Sequence, residues 1–149
     1  MSDWWALPMM ISGGLFVGGG VSIAWERVPV WRETDLPQFR SVFAHTLRRV
    51  DRLQPALLAA CLASTIGFAA SADGLARTLA ASAAAGFFIV LVGSLAWLVP
   101  LQRQLAAPGT EQQPSAYVQG LRSQWFRGHL IRTVLALALF ILAGIAAVV

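Results

Sequence analysis

The stretch LAASAAAGFFIVLVGSLAWLV, residues 79–99, contains no charged side chain and ends just before Pro100. A hydrocarbon core about 30 Å thick is crossed by about 20 apolar residues in an α-helix, and this stretch has that length. A soluble domain would have to bury the whole run within a chain of 149 residues. It would have to do so four times, because similar runs occupy residues 5–25, 56–72 and 130–149. Hydrophobic residues make up 57% of the chain and charged residues 12%, against about 25% charged in soluble domains. Charge is expensive at the bilayer centre. The pattern therefore predicts an all-α membrane protein, with residues 1–149 forming one integral domain: an up-down four-helix transmembrane bundle.

Working outward, the connections differ in length. Residues 71–77 form a short turn with Asp73-Gly74 at its tip, which makes the second and third spans antiparallel neighbours. The first connection, 26–54, is long and polar, and Pro29 and Pro37 are expected to break its first half. From Leu36 onward Phe39, Val42, Phe43, Thr46, Leu47, Val50 and Leu53 recur at three- and four-residue steps. Gln38, Ser41, His45, Arg48, Arg49 and Arg52 lie opposite. This predicts a cytoplasmic amphipathic helix leading into the second span, with Pro55 in that span's first turn or at a kink. Residues 101–115, with Pro108-Gly109 and Pro114, are predicted as a loop, and a helical pattern resumes near Tyr117.

Small residues suggest how the spans meet. In the first span Gly14 and Gly18 form a GxxxG pair extended by Ser22, a face that admits close helix approach. Packing inside the bundle is the expectation, and a homo-oligomer seam the alternative. Trp4, Trp5 and Trp25 mark the two ends of this span, at headgroup level. No basic segment precedes it and no small-residue cleavage site closes it, so it is expected to be a retained helix and not a signal peptide.

The net charge is +4, and all eleven basic residues are Arg. Six follow the first span (Arg27, Arg32, Arg40, Arg48, Arg49, Arg52) and four lie around the third connection (Arg103, Arg122, Arg127, Arg132), with Arg77 alone in the short turn. Such a distribution indicates membrane orientation and not nucleic-acid binding. Both Arg-rich loops are expected in the cytoplasm and both termini outside. The Ala- and Arg-rich composition without Lys suggests a bacterial inner membrane. The single cysteine, Cys61, forms no intrachain disulfide. Phosphate-binding glycine loops, nucleophile elbows and HExxH motifs are absent from the sequence.

Chemistry is concentrated at one end. The two histidines, His45 and His129, come from different connections but fall at the same predicted level. On the last helix Arg122, Trp125, His129 and Arg132 follow spacings of three, four and three, making one stripe. Trp25, Glu26 and Arg27 end the first span at that level. A neutral imidazole can take a proton near physiological pH. A guanidinium can hold the anion formed, and Trp125 can face an aromatic ring. Snorkelling arginines and an interfacial tryptophan are the plainer interpretation. Together His45, His129 and Glu26 offer a set of ligands for copper or iron.

Several of these features occur together in a known family. They are the glycine-rich first span, the Asp35–Arg52 segment with Arg49-Val50-Asp51-Arg52 before Pro55, and the Val99-Pro100-Leu101-Gln102 stretch with Leu105 behind it. The most specific is Trp125-x-x-x-His129-x-x-Arg132-Thr133. In these the chain resembles the anthrone oxygenase-like family of small four-span membrane proteins. Leu98 and Gln102 stand where that family often has asparagine. The resemblance implies a membrane-embedded oxygenase that converts an anthrone or similar polycyclic phenol to a quinone with dioxygen and no cofactor. Under it His129 would be the general base and His45 a second acid/base. Arg132 with Arg48 or Arg52 would stabilise the oxyanion. Trp125, Arg122 and Trp25 would help to bind the small aromatic substrate. Two other classes stand beside it: a copper- or iron-dependent membrane oxidoreductase using the two histidines, and a non-enzymatic membrane accessory subunit.

Overall fold

The computed structural model describes residues 3–149, with the side chains of all but 3, 47–52 and 111. Every described element is helical. Helix α1 (Asp3–Ser22) passes through a π turn (Ile23–Arg27) into α2 (Val28–Glu33), forming one rod. After a corner at Thr34 and Asp35, α3 (Leu36–Ser71) carries the chain back. A second rod follows, with α4 (Gly74–Gly93) passing through a π turn (Ser94–Leu98) into α5 (Val99–Ala106). A short 3-10 turn (Thr110–Gln112) leads to α6 (Ser115–Ala146). Four stretches are long and apolar enough to cross a membrane: Trp4–Glu33, Leu53–Ser71, Gly74–Ala106 and Ser115–Ala146. α1 packs against α3 and α6, and α4 against the same two. The protein is thus a four-helix transmembrane bundle. Around its girth Leu7, Ile11, Leu15, Phe88, Ile89, Val134 and Ile141 are exposed. In water so large an apolar surface would drive association; in a bilayer it meets acyl chains.

Two expectations about the connections need correction. Pro29 does not break the first helix, and the chain beyond Pro100 stays helical as far as Ala106. Proline lacks an N–H, and its ring collides with the carbonyl four residues back in an ordinary helix. In both rods the valine before the proline donates its N–H five residues back, Val28 to the Ile23 carbonyl and Val99 to the Ser94 carbonyl. The widened π turn accommodates the ring without a break. The rods run parallel, so both π turns lie at the same end of the bundle. The break falls instead at Thr34–Asp35. There Asp35 caps α3 by accepting the Gln38 N–H at 2.8 Å, with Pro37 in the first turn. α3 runs on through Pro55, so the amphipathic helix and the second span are one element.

The rods of 30 and 33 residues exceed the roughly 20 needed to span the bilayer. The surplus makes the bundle two-tiered. Met9, Phe16, Leu58, Cys61, Phe68, Phe87, Ala136 and Ala143 form the core of the membrane tier. Beyond it lies an aromatic head built from Trp31, Phe39, Phe43, Leu101, Leu105, Trp125 and Phe126. In the head Trp31 and Phe43 meet edge-on at 5.5 Å, and Phe43 and Trp125 at 4.8 Å, the favoured quadrupole arrangement.

The close helix contacts of α1 do not use the Gly14–Gly18 pair. Gly18 is exposed, and nothing lies within 4 Å of where its Cβ would stand. A Cβ on Gly13 would stand 2.8 Å from the Phe140 ring and 3.1 Å from Cys61 Sγ, and one on Gly20 would stand 3.2 Å from Thr133 Oγ1. Gly13 and Gly20 are two turns apart on the face that meets α3 and α6. Gly13→Val is therefore expected to cost about 1–3 kcal/mol by overpacking, while Gly18→Val stays within about 0.5 kcal/mol. Thermal unfolding in detergent distinguishes them, and equal melting of the two variants would refute this assignment of the inner face.

Candidate functional site

The stripe on α6 divides into two parts with different surroundings. Arg122 lies in the head. Its guanidinium donates to the Trp31 carbonyl at 3.2 Å and the Thr34 carbonyl at 3.0 Å, and it lies 5.3 Å from the Phe39 ring centroid. Those carbonyls end α2, so Arg122 caps a helix C-terminus and ties α6 to the first rod. Trp125, His129 and Arg132 converge lower down, where the head meets the membrane tier.

His129 is buried, at 2% exposure. Its ring stacks on Trp125 with centroids 5.0 Å apart and an interplanar angle of 14°. Arg132 Nη2 lies 3.4 Å from His129 Nδ1, and His129 Nε2 lies 3.2 Å from the Gly20 carbonyl oxygen. A guanidinium only donates, and a carbonyl only accepts. Nδ1 is therefore the acceptor, and Nε2 carries the proton given to Gly20. One neutral tautomer follows from the two partners. Gly20 lets this approach occur, since Thr133 occupies the space beside it and itself donates to the His129 carbonyl at 2.8 Å. Arg132 also lies 5.6 Å from the Phe16 ring centroid. An arginine at this depth is expensive without such partners.

These side chains line a cavity of about 290 Å³ at the junction of the two tiers, near the small end of the range for ligand pockets. All four spans contribute to it. Phe16, Leu58 and Leu91 line it from the membrane tier, and Trp31 and Trp125 from the head. Ile23 comes from one π turn, Ser94 and Leu95 from the other; π turns often accompany functional sites. The polar lining includes Thr46, Gln54, Gln102 and Arg103 beside His129 and Arg132. Among the described residues, the Trp125 indole nitrogen and Gln54 Oε1 are buried without a hydrogen-bond partner.

The other candidates lie elsewhere. His45 is exposed and does not line the cavity, although its neighbour Thr46 does. Trp25 is 83% exposed and faces outward. Glu26 is exposed and accepts from Ser22 Oγ at 3.3 Å. The side chains of Arg48 and Arg52 lie outside the described residues. Among the described residues no three of His, Cys, Asp and Glu stand close enough to hold a metal ion. The structure thus unites Trp125, His129 and Arg132. It does not bring His45, Trp25 or Arg122 to their cavity.

Gln54, Gln102 and Arg103 were not among the site residues expected from the sequence. One signal was available for Gln54. With Leu58, Cys61 and Thr65 it follows spacings of four, three and four, and all four residues are buried. A lone amide in the inner stripe of a span is a site signal of the same kind as an intramembrane charge.

The fold and the site define a class: a small polytopic membrane protein with a partly polar cavity lined by all four of its spans. The anthrone oxygenase family model matches residues 43–142, two thirds of the chain, and the chain belongs to that family. The match takes in His129, Arg132, Trp125 and Gln54. Phe16, Ile23 and Trp31, from the first rod, complete the cavity from outside it. No curated protein and no solved structure matches the chain.

Proposed function

We propose that the cavity is the active site of an oxygenase that converts an anthrone-like methylene to a ketone, giving a quinone and water. The observation that carries this reading is the buried His129–Arg132 pair beside Trp125 in a cavity of ligand size, in a member of the anthrone oxygenase family. A methylene flanked by aromatic rings and conjugated to a carbonyl is acidic, because its anion spreads onto the carbonyl oxygen. The proton goes to His129 Nδ1. The electron-rich carbanion reduces dioxygen and forms a C–O bond, giving a hydroperoxide after protonation. Loss of water from the hydroperoxide leaves the new carbonyl. Both methylene hydrogens depart, one oxygen atom enters the ketone, and the other leaves in water. The substrate supplies the electrons, so the proposed sequence uses no cofactor.

Arg132 gives the sequence its order. It holds the Nδ1 lone pair that must take the proton. A ligand oxygen that draws the guanidinium toward itself releases that lone pair. The Nε2–H goes on donating to the Gly20 carbonyl, which supports the imidazolium once it forms. Substrate binding and activation of the base are thereby coupled. The proposal places the head in the cytoplasm by the positive-inside rule and lets an apolar substrate enter from the lipid.

Oxygen uptake by the detergent-purified protein with anthrone tests this reading. One dioxygen should be consumed per anthrone above the uncatalysed rate, and labelled dioxygen should leave one labelled atom in the quinone. Uptake no faster than autoxidation, across anthrone and its hydroxylated derivatives, would remove the oxygenase assignment.

A further inference from the structure

The helices meet along four seams, α1 with α3 and α6, and α4 with the same two. At the level of the cavity three seams are closed by a glycine. A Cβ on Gly19 would run into the Gln54 amide of α3. One on Gly20 would stand 3.2 Å from Thr133 Oγ1 of α6, and one on Gly128 would stand 2.6 Å from Leu98 and 3.0 Å from Trp97 of the second rod. Among the described residues no glycine joins α3 to the second rod in this way. That seam is shut in the membrane tier, where Phe68, Ala80, Ala83 and Phe87 share the core. It is shut again in the head, where Arg40 of α3 donates to the Leu105 and Ala107 carbonyls. Between the two closures both backbones are irregular: α3 carries Pro55, and the second rod its π turn, Ser94–Leu98. Proline and π turns are the usual causes of a bend. Exposure follows the same division. Trp31, Leu58, Ser94, Trp125 and His129 on the lining are buried. Among the described lining residues the exposed ones are Pro55, Leu95 and Arg103, all on α3 and the second rod.

We infer that the ligand enters and leaves through a window in this seam, sideways between α3 and the second rod, with Leu95 in the doorway. The inference rests on the cavity being the substrate site and adds the route to it. Along the second rod the wall changes from Leu91 and Leu95 to Gln102 and Arg103. A ring system dissolved among acyl chains meets the apolar end of that wall, and its oxygens meet the polar end. Leu95 is 54% exposed, so a group attached there stands across the window without disturbing the core.

Trapping tests this without turnover. The probe is anthraquinone, which has no methylene left to oxidise. Leu95→Cys is made together with Cys61→Ser, and the folded protein in detergent is modified with a bulky aromatic methanethiosulfonate. Each unmodified sample is the reference for its modified one, so folding of the variant is controlled. Modification before loading should slow anthraquinone uptake, and modification after loading should slow its release into ligand-free detergent. Each rate should fall by at least about tenfold, because a blocked door lowers entry and exit together. Reductant should restore both. A residue that only shapes the cavity wall would change affinity instead, excluding ligand without retaining it. The same treatment of Leu53→Cys, on the groove between the first rod and α3, should do neither. Exclusion without retention, no effect at Leu95, or retention at Leu53 overturns the inference, as does a wild-type protein that binds no anthraquinone. The two readings also fail separately. Trapping in a protein that takes up no oxygen with anthrone refutes the oxygenase assignment alone, and oxygen uptake unchanged by modification at Leu95 refutes the window alone.

Discussion

His129→Gln is expected to lower kcat for oxygen uptake by about a hundredfold to ten-thousandfold, the usual contribution of a positioned general base, while the bundle stays folded. Glutamine is chosen for a physical reason. Its terminal amide can donate where His129 Nε2 now donates, to the Gly20 carbonyl at 3.2 Å. The structural half of the imidazole is retained and the basic half is lost. Alanine would confuse the two, because it also empties the buried space beside Trp125 and leaves the Gly20 carbonyl short of a partner. The informative measurement is a pair: steady-state oxygen uptake with anthrone, and thermal unfolding in detergent. Lost turnover at an unchanged melting temperature supports proton transfer at Nδ1. Retained turnover means another group takes the proton, and His129 is then an architectural residue holding α1 to α6.

Much of the fold was legible because bilayer physics writes it in runs of single residue type. Residues 79–99 cannot be read as anything but a span, and the Asp73-Gly74 turn fixes the direction of its neighbour. The errors came where one local rule stood for the whole backbone. Proline at 29 and at 100 was read as a break. A π turn before each proline instead keeps the rod continuous, and no residue pattern announces the extra residue in a turn. The Gly14–Gly18 motif predicts a face packed inside the bundle. Helix rotation, which is set by all four spans together, turns Gly13 and Gly20 inward instead.

The site was legible only in its local part. Trp125, His129 and Arg132 share one helix, so spacing alone puts them on one face. Groups that reach the cavity from other helices depend on the tertiary arrangement, which is why Gln54, Gln102 and Arg103 were missed. The same limit applies to His45, which the sequence puts at the level of His129 without showing that the two meet. Both do come from segments that leave the membrane at one end, yet position along the axis says nothing about rotation, and His45 points outward. Arg122 shows the converse. It belongs to the α6 stripe, but one turn higher it meets the carbonyl end of α2 and becomes a cap.

Arg132→Met should separate function from stability most sharply. The guanidinium sits within a membrane-spanning helix, half-buried, against His129 and the Phe16 ring. A charge in such a place destabilises the fold by its desolvation, and replacing it with an apolar side chain of similar length is often neutral or favourable. Methionine recovers that cost but leaves the buried His129 Nδ1 without its donor, so the melting temperature should change little. Activity should change far more. Stabilisation of a developing oxyanion by one such donor contributes about a hundredfold to a thousandfold to kcat, and kcat/KM for anthrone should fall by at least that factor. Arg132→Lys keeps the charge but loses the planar fork, and an intermediate rate is expected from it. Removing Arg132 also releases the Nδ1 lone pair, which by itself would favour proton removal. A net loss of rate in the methionine variant would thus mean that holding the anion matters more than freeing the base. A gain would show that the guanidinium restrains His129 and that some other group, with Arg103 on the same lining the first candidate, holds the charge.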